Sequence, residues 1–428
     1  LFAPIWGTDK RFTGRIKQGK LSMRVYQINV VCGAGSTGRI VVDLSRAIQM
    51  AGGECRIAYG RGTAPADVDA VKISNGLDLY YHAVMTRVTD RHGLYSRTAT
   101  KKLIKDITQY APDMIHLHNI HGYYVNYEML FQFLKEYKRP VVWTLHDCWA
   151  FTGHCAHYDS IGCKQWKTMC ENCPDLKAYP TTYTARHVSS NFQKKKECFS
   201  SIDKMTLVTP SKWLKSQVEE SFLGHAKCVV IQNGIDIKQF SPKQENVIKE
   251  KLCPNREKLI LGVTGVWTKN KGYDDFFKLR KLLNNNYVMC MVGLNDQQMT
   301  ELPSGIIGVK RTESIEELAE YYSAADVFLN LTYEDTFPTT NIEALACGTP
   351  VLTYRTGGSP EIIDEACGAV VEKGDLSGMA KAVEKWCADK KTMEACLSRG
   401  QMFDKTEKYS EYVRLYGECI KNEDIVSD

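Results

Sequence analysis

MRVYQINVVCGAGSTGRIVVDLSRAIQMAGGECRIAYG, residues 23–60, sets the reading of the whole chain. Met23–Val31 is dense in β-branched residues and reads as a strand. Arg39–Met50 spaces Ile40, Val41, Leu44 and Ile48 as one face of a helix, and Cys55–Gly60 returns to strand character. Strand, helix, strand at this spacing predicts a parallel sheet covered on both faces.

Working outward, the alternation continues through MIHLH (114–118), a helix over Tyr127–Tyr137 and PVVWTL (140–145). After a cysteine-rich stretch from Cys148 to Cys173 it resumes with MTLVTPS (205–211), a helix after Ser211, and CVVIQ (228–232). Turn chemistry from Asn233 to Pro242, then a charged run to Lys258, marks a linker. A second series follows in KLILGVTGV (258–266), YVMCMVG (287–293), GIIGV (305–309), ADVFLNL (325–331), TPVLTY (349–354) and GAVVE (368–372). The expected division is 1–22 as a leader or misassigned start, 23–235 as a first Rossmann-like domain with a Cys-rich insertion at 148–175, and 236–404 as a second. Residues 405–428 form a last helix that caps the second domain or crosses back to the first. Such sheets bind ligands beyond the carboxyl ends of their strands, so two of them facing each other make a cleft.

Composition narrows the function. The 428 residues are 43% hydrophobic and 25% charged, with 55 Lys and Arg against 50 Asp and Glu, a net charge of +5. That excludes a disordered chain and argues against a dedicated nucleic-acid binder. No apolar run reaches the roughly 18 residues of a membrane span, and Leu1–Lys20 lacks the apolar core of a secretory signal. Sixteen cysteines in a chain with ample core point to a reducing cytoplasm rather than a disulfide framework.

The richest chemistry lies in EDTFPTTNIEALACGTPVLTYRTGGSPE, residues 334–361. Pro338, Thr339, Thr340 and Asn341 open a helix whose free N–H groups suit a diphosphate. Glu343, one turn inside, has two readings: a carboxylate accepting both hydroxyls of a ribose, or a solvated acid near a helix N-terminus. Upstream, GVWTKNKG (265–272) follows a strand and carries Lys269 and Lys271. In the first domain CGAGSTG (32–38) is a Gly-rich strand-to-helix loop that admits phosphate or sugar. His116, His118 and His121 cluster after one strand, and His146 with Asp147 after the next. A histidine at a strand's carboxyl end can orient a sugar hydroxyl or move a proton.

Together these residues resemble the retaining GT-B glycosyltransferases of family 4, in its capsule and exopolysaccharide branch. The family signature sets two acids eight positions apart, then Gly, Thr or Ser, Pro, and later Gly-Gly-x-Pro-Glu. Here those are Asp335, Glu343, Gly348, Thr349, Pro350, Gly357, Gly358, Pro360 and Glu361. Asp335 stands where the family usually has glutamate, and Val266 where it usually has the phosphate-loop arginine. The resemblance implies a cleft between two doubly wound domains, a UDP- or GDP-linked sugar donor, and a lipid-linked saccharide acceptor. It gives Asp335 and His118 to the donor sugar, Glu343 to the ribose, and Lys271 to the diphosphate. Lys269 or Arg311 replaces the missing arginine, Thr37 and Gly38 offer backbone contacts, and His146 and Asp147 line the acceptor side. It further implies front-side attack without a divalent metal, with Lys271 and helix N-termini stabilising the leaving group. Rivals are a GT-B epimerase or phosphorylase, and a non-catalytic sugar-nucleotide-binding or scaffold protein.

Two features lie outside that signature. Cys155, Cys163, Cys170 and Cys173, near His154 and His157, suit a structural zinc; reduced thiols, a disulfide and an iron–sulfur cluster are the alternatives. Arg87, Arg91, Arg97, Lys101, Lys102 and Lys105, with Lys194–Lys196, form either a solvated helix face or a docking face for the anionic inner surface of a plasma membrane.

Overall fold

The computed structural model describes residues 16–17, 20–21, 23–243, 247–388 and 393–424. The expected leader lies outside them, apart from a short antiparallel pairing of Ile16–Lys17 with Lys20–Leu21.

The first sheet holds β1 (Arg24–Val31), β2 (Glu54–Arg61), β3 (Ala70–Lys72), β4 (Met114–Leu117), β5 (Val141–Thr144), β6 (Met205–Thr209) and β7 (Lys227–Val230). All neighbours are parallel, in the order β3-β2-β1-β4-β5-β6-β7. The second sheet holds β8 (Lys258–Val263), β9 (Tyr287–Val292), β10 (Ile306–Val309), β11 (Val327–Asn330), β12 (Val351–Tyr354) and β13 (Gly368–Val371). Its order, β10-β9-β8-β11-β12-β13, repeats the pattern, again all parallel. The chain reverses direction between β1 and β4, and again between β8 and β11. A crevice opens at such a point, because the two flanking loops leave on opposite faces of the sheet.

Burial explains the strand sequences. β1 sits mid-sheet, with Val25 paired to Cys55 on one side and Met114 on the other, and six of its eight residues are buried. Helices cover both faces, so the strand reads as a near-continuous apolar run instead of alternating. Each sheet therefore carries two core layers.

The last helix, Lys405–Asp424, crosses back to the first sheet. Tyr409, Tyr412, Leu415 and Tyr416 join the layer containing Val25, Val41 and Leu44. Tyr416 Oη lies 2.7 Å from His116 Nδ1, and His116 Nε2 lies 2.8 Å from Thr144 Oγ1. His116 is thereby occupied in the core. The two chain crossings between domains run side by side: Ile235 N–H donates to Phe403 O (2.9 Å) and Lys405 N–H to Ile235 O (2.9 Å).

Candidate active site

A cavity of about 640 Å³ lies between the carboxyl ends of the two sheets. From the first domain Gly35, Ser36, Thr37, Arg39 and His146 reach it; from the second come Gly265, Lys271, Lys310, Arg311, Asp335, Thr339, Thr340 and Glu343.

The second-domain wall is built on the loops after β8 and β11. Lys271 Nζ donates to Asp335 Oδ2 (2.9 Å) and to the Glu334 carbonyl (3.0 Å), while Asn270 Nδ2 donates to Glu334 Oε2 (2.9 Å). The acid loop cannot drift, because Gly357 sits on it: a Cβ there would lie 1.7 Å from Asp335 O, and its φ is +50°. Only glycine permits that approach. Directly after this loop, the helix Thr339–Ala346 carries Glu343, which is buried. Burial raises its pKa; Arg39 (3.6 Å), a hydrogen bond from Tyr322 Oη (2.9 Å) and Thr339 oppose the rise. Tyr322 is itself fixed, since Thr349 Oγ1 donates to its carbonyl (2.6 Å).

The first-domain wall rests on a buried relay. Gln27 on β1 donates through Nε2 to Val41 O (3.0 Å), which turns its carbonyl oxygen to His118 Nε2 (3.0 Å). His118 must then carry its proton on Nε2 and accept at Nδ1 from His146 Nε2, 3.1 Å away. That leaves His146 Nδ1 as an acceptor at the cleft. Burial pushes His118 well below the ordinary histidine range and His146 down to about 4, so both are neutral near pH 7. Alongside, Asp147 accepts from His121 Nε2 (2.7 Å) and Trp149 N (2.9 Å). Burial favours its neutral form, but His121 and the Trp149 N–H outweigh this and hold the carboxyl at about 2.

The walls are joined directly. Thr336 Oγ1 donates to His146 O (2.8 Å), and Glu361 accepts from Lys212 N (2.9 Å) and Trp213 N (2.7 Å) at the start of the helix Lys212–Glu219. The insertion reaches across as well, through Ser160 to Glu334 and Asp159 to Lys373.

Comparison with known proteins decides the family. Residues 37–239 match the model "Glycosyltransferase Family 4" and residues 244–402 the model "Glycosyl transferases group 1". The chain belongs to glycosyltransferase family 4. It is similar to a putative colanic acid biosynthesis glycosyl transferase, WcaC, of Escherichia coli K12: 25% identical, over 83% of this chain and 88% of the relative. A sucrose-phosphate synthase from Thermosynechococcus elongatus superposes with a TM-score of 0.68 at 16% identity, covering 94% of this chain and 100% of that one. Anabaena HepE in complex with UDP gives 0.65 at 13%, covering 92% and 100%. These likenesses and the two parallel sheets establish the GT-B fold.

Within this transferase, Lys271, Arg311, Asp335, Glu343, Thr37, Thr339, Thr340 and His146 all line the cleft. Other expected residues do not. His118 was expected to meet the donor sugar, but it is 1% exposed and stands behind His146. Gly38 packs inward, where a Cβ would meet Val31 Cγ2 at 3.1 Å and Gly33 N at 3.2 Å, so contact passes to Gly35, Ser36 and Thr37. Lys269 is off the cleft wall, which leaves Arg311, with Lys310, as the extra cations of the second domain. Asn341 is buried and bonds Asn330 Nδ2 at 2.7 Å through Oδ1, shaping the helix start from beneath. Asp147 holds His121 and is absent from the wall. Sequence reasoning missed Arg39, Gln27 and Lys310. Arg39 was legible in principle, one helical position past the Gly-rich loop, but its partner lies 304 positions away.

Proposed function

We propose that this transferase moves a hexosyl group, with retention, from a nucleoside diphosphate sugar to a lipid-linked saccharide in bacterial surface polysaccharide synthesis. The observation that carries the reading is the grouping of Lys271, Lys310 and Arg311 around one cavity with Glu343, a carboxylate one turn inside a helix. Cations and helix N–H groups suit a diphosphate, and a buried acid suits the two hydroxyls of a ribose. UDP is favoured over GDP because HepE, of like fold, binds UDP. The polysaccharide context follows WcaC.

Retention fits front-side attack. Both acids are engaged: Asp335 binds Lys271 and the Phe337 N–H (3.2 Å), and Glu343 binds Tyr322 and Arg39. Neither is a free nucleophile for a glycosyl-enzyme intermediate. The leaving phosphate takes the acceptor's proton, Lys271 neutralises the departing charge, and His146 Nδ1 accepts from a sugar hydroxyl.

Lipid-linked acceptors call for the inner membrane surface. No helix among the described residues is long and apolar enough to cross a membrane. However, the helix Gly76–Thr89 is turned inside out, with His82 and Thr86 buried while Leu77, Tyr80, Tyr81 and Val88 face outward. Arg91, Arg97, Lys101, Lys102 and Lys105 lie exposed along the chain that follows. Apolar anchors beside cations suit an anionic bilayer, and we place the enzyme as a peripheral protein there.

The test is a thermal-shift series with UDP, GDP and their sugar conjugates, followed by transfer from the stabilising donor to lipid-diphosphate saccharides. One base is expected to raise the melting point, and the product to keep the donor's anomeric configuration. A folded protein indifferent to every nucleotide overturns the donor reading and leaves the scaffold alternative.

A further inference from the structure

We propose that the insertion following the His146 loop holds one structural zinc on the thiolates of Cys155, Cys163, Cys170 and Cys173. These four free cysteines line a single cavity of about 20 Å³, together with His154 and His157. That is room for one water or one small ion. Cys155 lies within electrostatic reach of the other three thiols, and Cys163 of Cys170 and Cys173.

Two independent observations point to an occupant. His154 is 4% exposed and lines this cavity, yet its Nε2 has no hydrogen-bond partner; its Nδ1 lies 3.6 Å from Asp90 Oδ1. A buried imidazole braced by a carboxylate and unpaired at its other nitrogen is a group waiting for a neighbour. The second is Lys195, which is 1% exposed and within electrostatic reach of Cys155 and Cys170. Its ammonium donates to Trp149 O (2.7 Å) and Thr152 O (3.0 Å) and lies over the Trp149 ring, 3.6 Å from its centroid. A zinc with four thiolates carries a charge of −2, and a buried ammonium beside it offsets part of that charge.

As the side chains stand, no three ligand groups among the described residues share a common ligating point. Binding therefore turns the thiols inward, and four S–H protons leave as four Zn–S bonds form. The ion would stiffen the segment whose Asp159 and Ser160 grip Lys373 and Glu334 across the cleft. Its role is to position a loop, not to react.

The full-length protein, purified under reducing conditions without added metal, is assayed by elemental analysis and by release on mercurial titration of its thiols. About one zinc per chain is expected, with the tetrahedral thiolate absorption of cobalt after exchange. Cys173→Ser should lose the metal, and His154→Gln should retain it with a lower melting point. Should Cys173→Ser fail to fold, the wild-type metal content and cobalt spectrum decide alone. Less than about 0.1 zinc per chain with four alkylatable thiols, or a mass showing disulfides before reduction, overturns the proposal.

Discussion

Lys271 and Asp335 meet at 2.9 Å with part of each side chain open to solvent, whereas His118 and His146, 3.1 Å apart on the opposite wall, are neutral and largely shut away. The second-domain wall thus works with paired charges that a phosphate can rearrange. Apart from Arg39, the first-domain wall works with neutral dipoles whose orientation is set from behind by Gln27. Under the proposed function, charge stands where the diphosphate would arrive and leave, and a fixed neutral acceptor where a hydroxyl would be aimed.

Glu343 tests that contrast most severely, since it is the one charge of the second wall that is also buried. Glu343→Ala should lower kcat/KM by roughly 10³-fold, because it removes the proposed ribose contact and leaves Arg39 and Tyr322 unpaired. Steady-state kinetics with the identified donor check it, and a loss under tenfold would break the ribose assignment. Lys271→Met should come next, at about 10²-fold and mainly in kcat, as expected for charge that develops only when the diphosphate departs. Because Lys271 also neutralises Asp335, the double variant with Asp335→Asn should lose less than the sum of the two singles. Additive losses would mean the ion pair is irrelevant to turnover.

The neutral wall has its own signature in pH. His146 is depressed from about 6.5 to about 4, so its neutral form is present in the folded protein throughout that window. The unfolded chain binds the proton first, which makes stability full above about pH 6.5 and progressively lost as pH falls toward 4. Urea midpoints should follow that slope, and His146→Asn should make it shallower by one histidine's share, because His82, His92, His116 and His118 are held down by burial as well. Gln27→Leu should cost about tenfold in kcat/KM with the fold intact, by freeing the His118 tautomer. Unchanged kinetics in Gln27→Leu would show that the relay is packing alone.

The two walls also differed in how much the sequence disclosed. On the second, Asp335, Glu343, Thr339 and Thr340 sit within nine residues on one loop and helix, so local order and spatial order coincide. On the first, the working unit joins Gln27, His118 and His146 from three different strands or their ends, and nothing local says which histidine of a pair faces the cleft. Arg311 and Lys310 follow β10 at the sheet's far edge, so their rank over Lys269 depends on sheet order, which only the fold supplies. Both parallel sheets were readable because a buried parallel strand is written as a continuous apolar run. Pair partners across 304 positions, such as Arg39 and Glu343, were not.

Glu361 makes the smallest predicted change, and it asks whether the walls act as separate bodies. Its carboxylate belongs to the second domain, yet it receives the first two N–H groups of the helix Lys212–Glu219 in the first. An acid at a helix start is favoured by the helix dipole and by charge-assisted hydrogen bonds. Glu361→Gln keeps one acceptor oxygen and the side-chain length, so it removes the charge and one bond while leaving the packing. The expected cost is about 1 kcal/mol in urea unfolding, with kcat nearly unchanged and KM raised about two- to threefold as the contact between the walls weakens. If KM holds while stability falls, the contact is only a helix cap, and the spacing of the walls is set instead by Thr336 on His146 and by the paired crossings at Ile235 and Lys405.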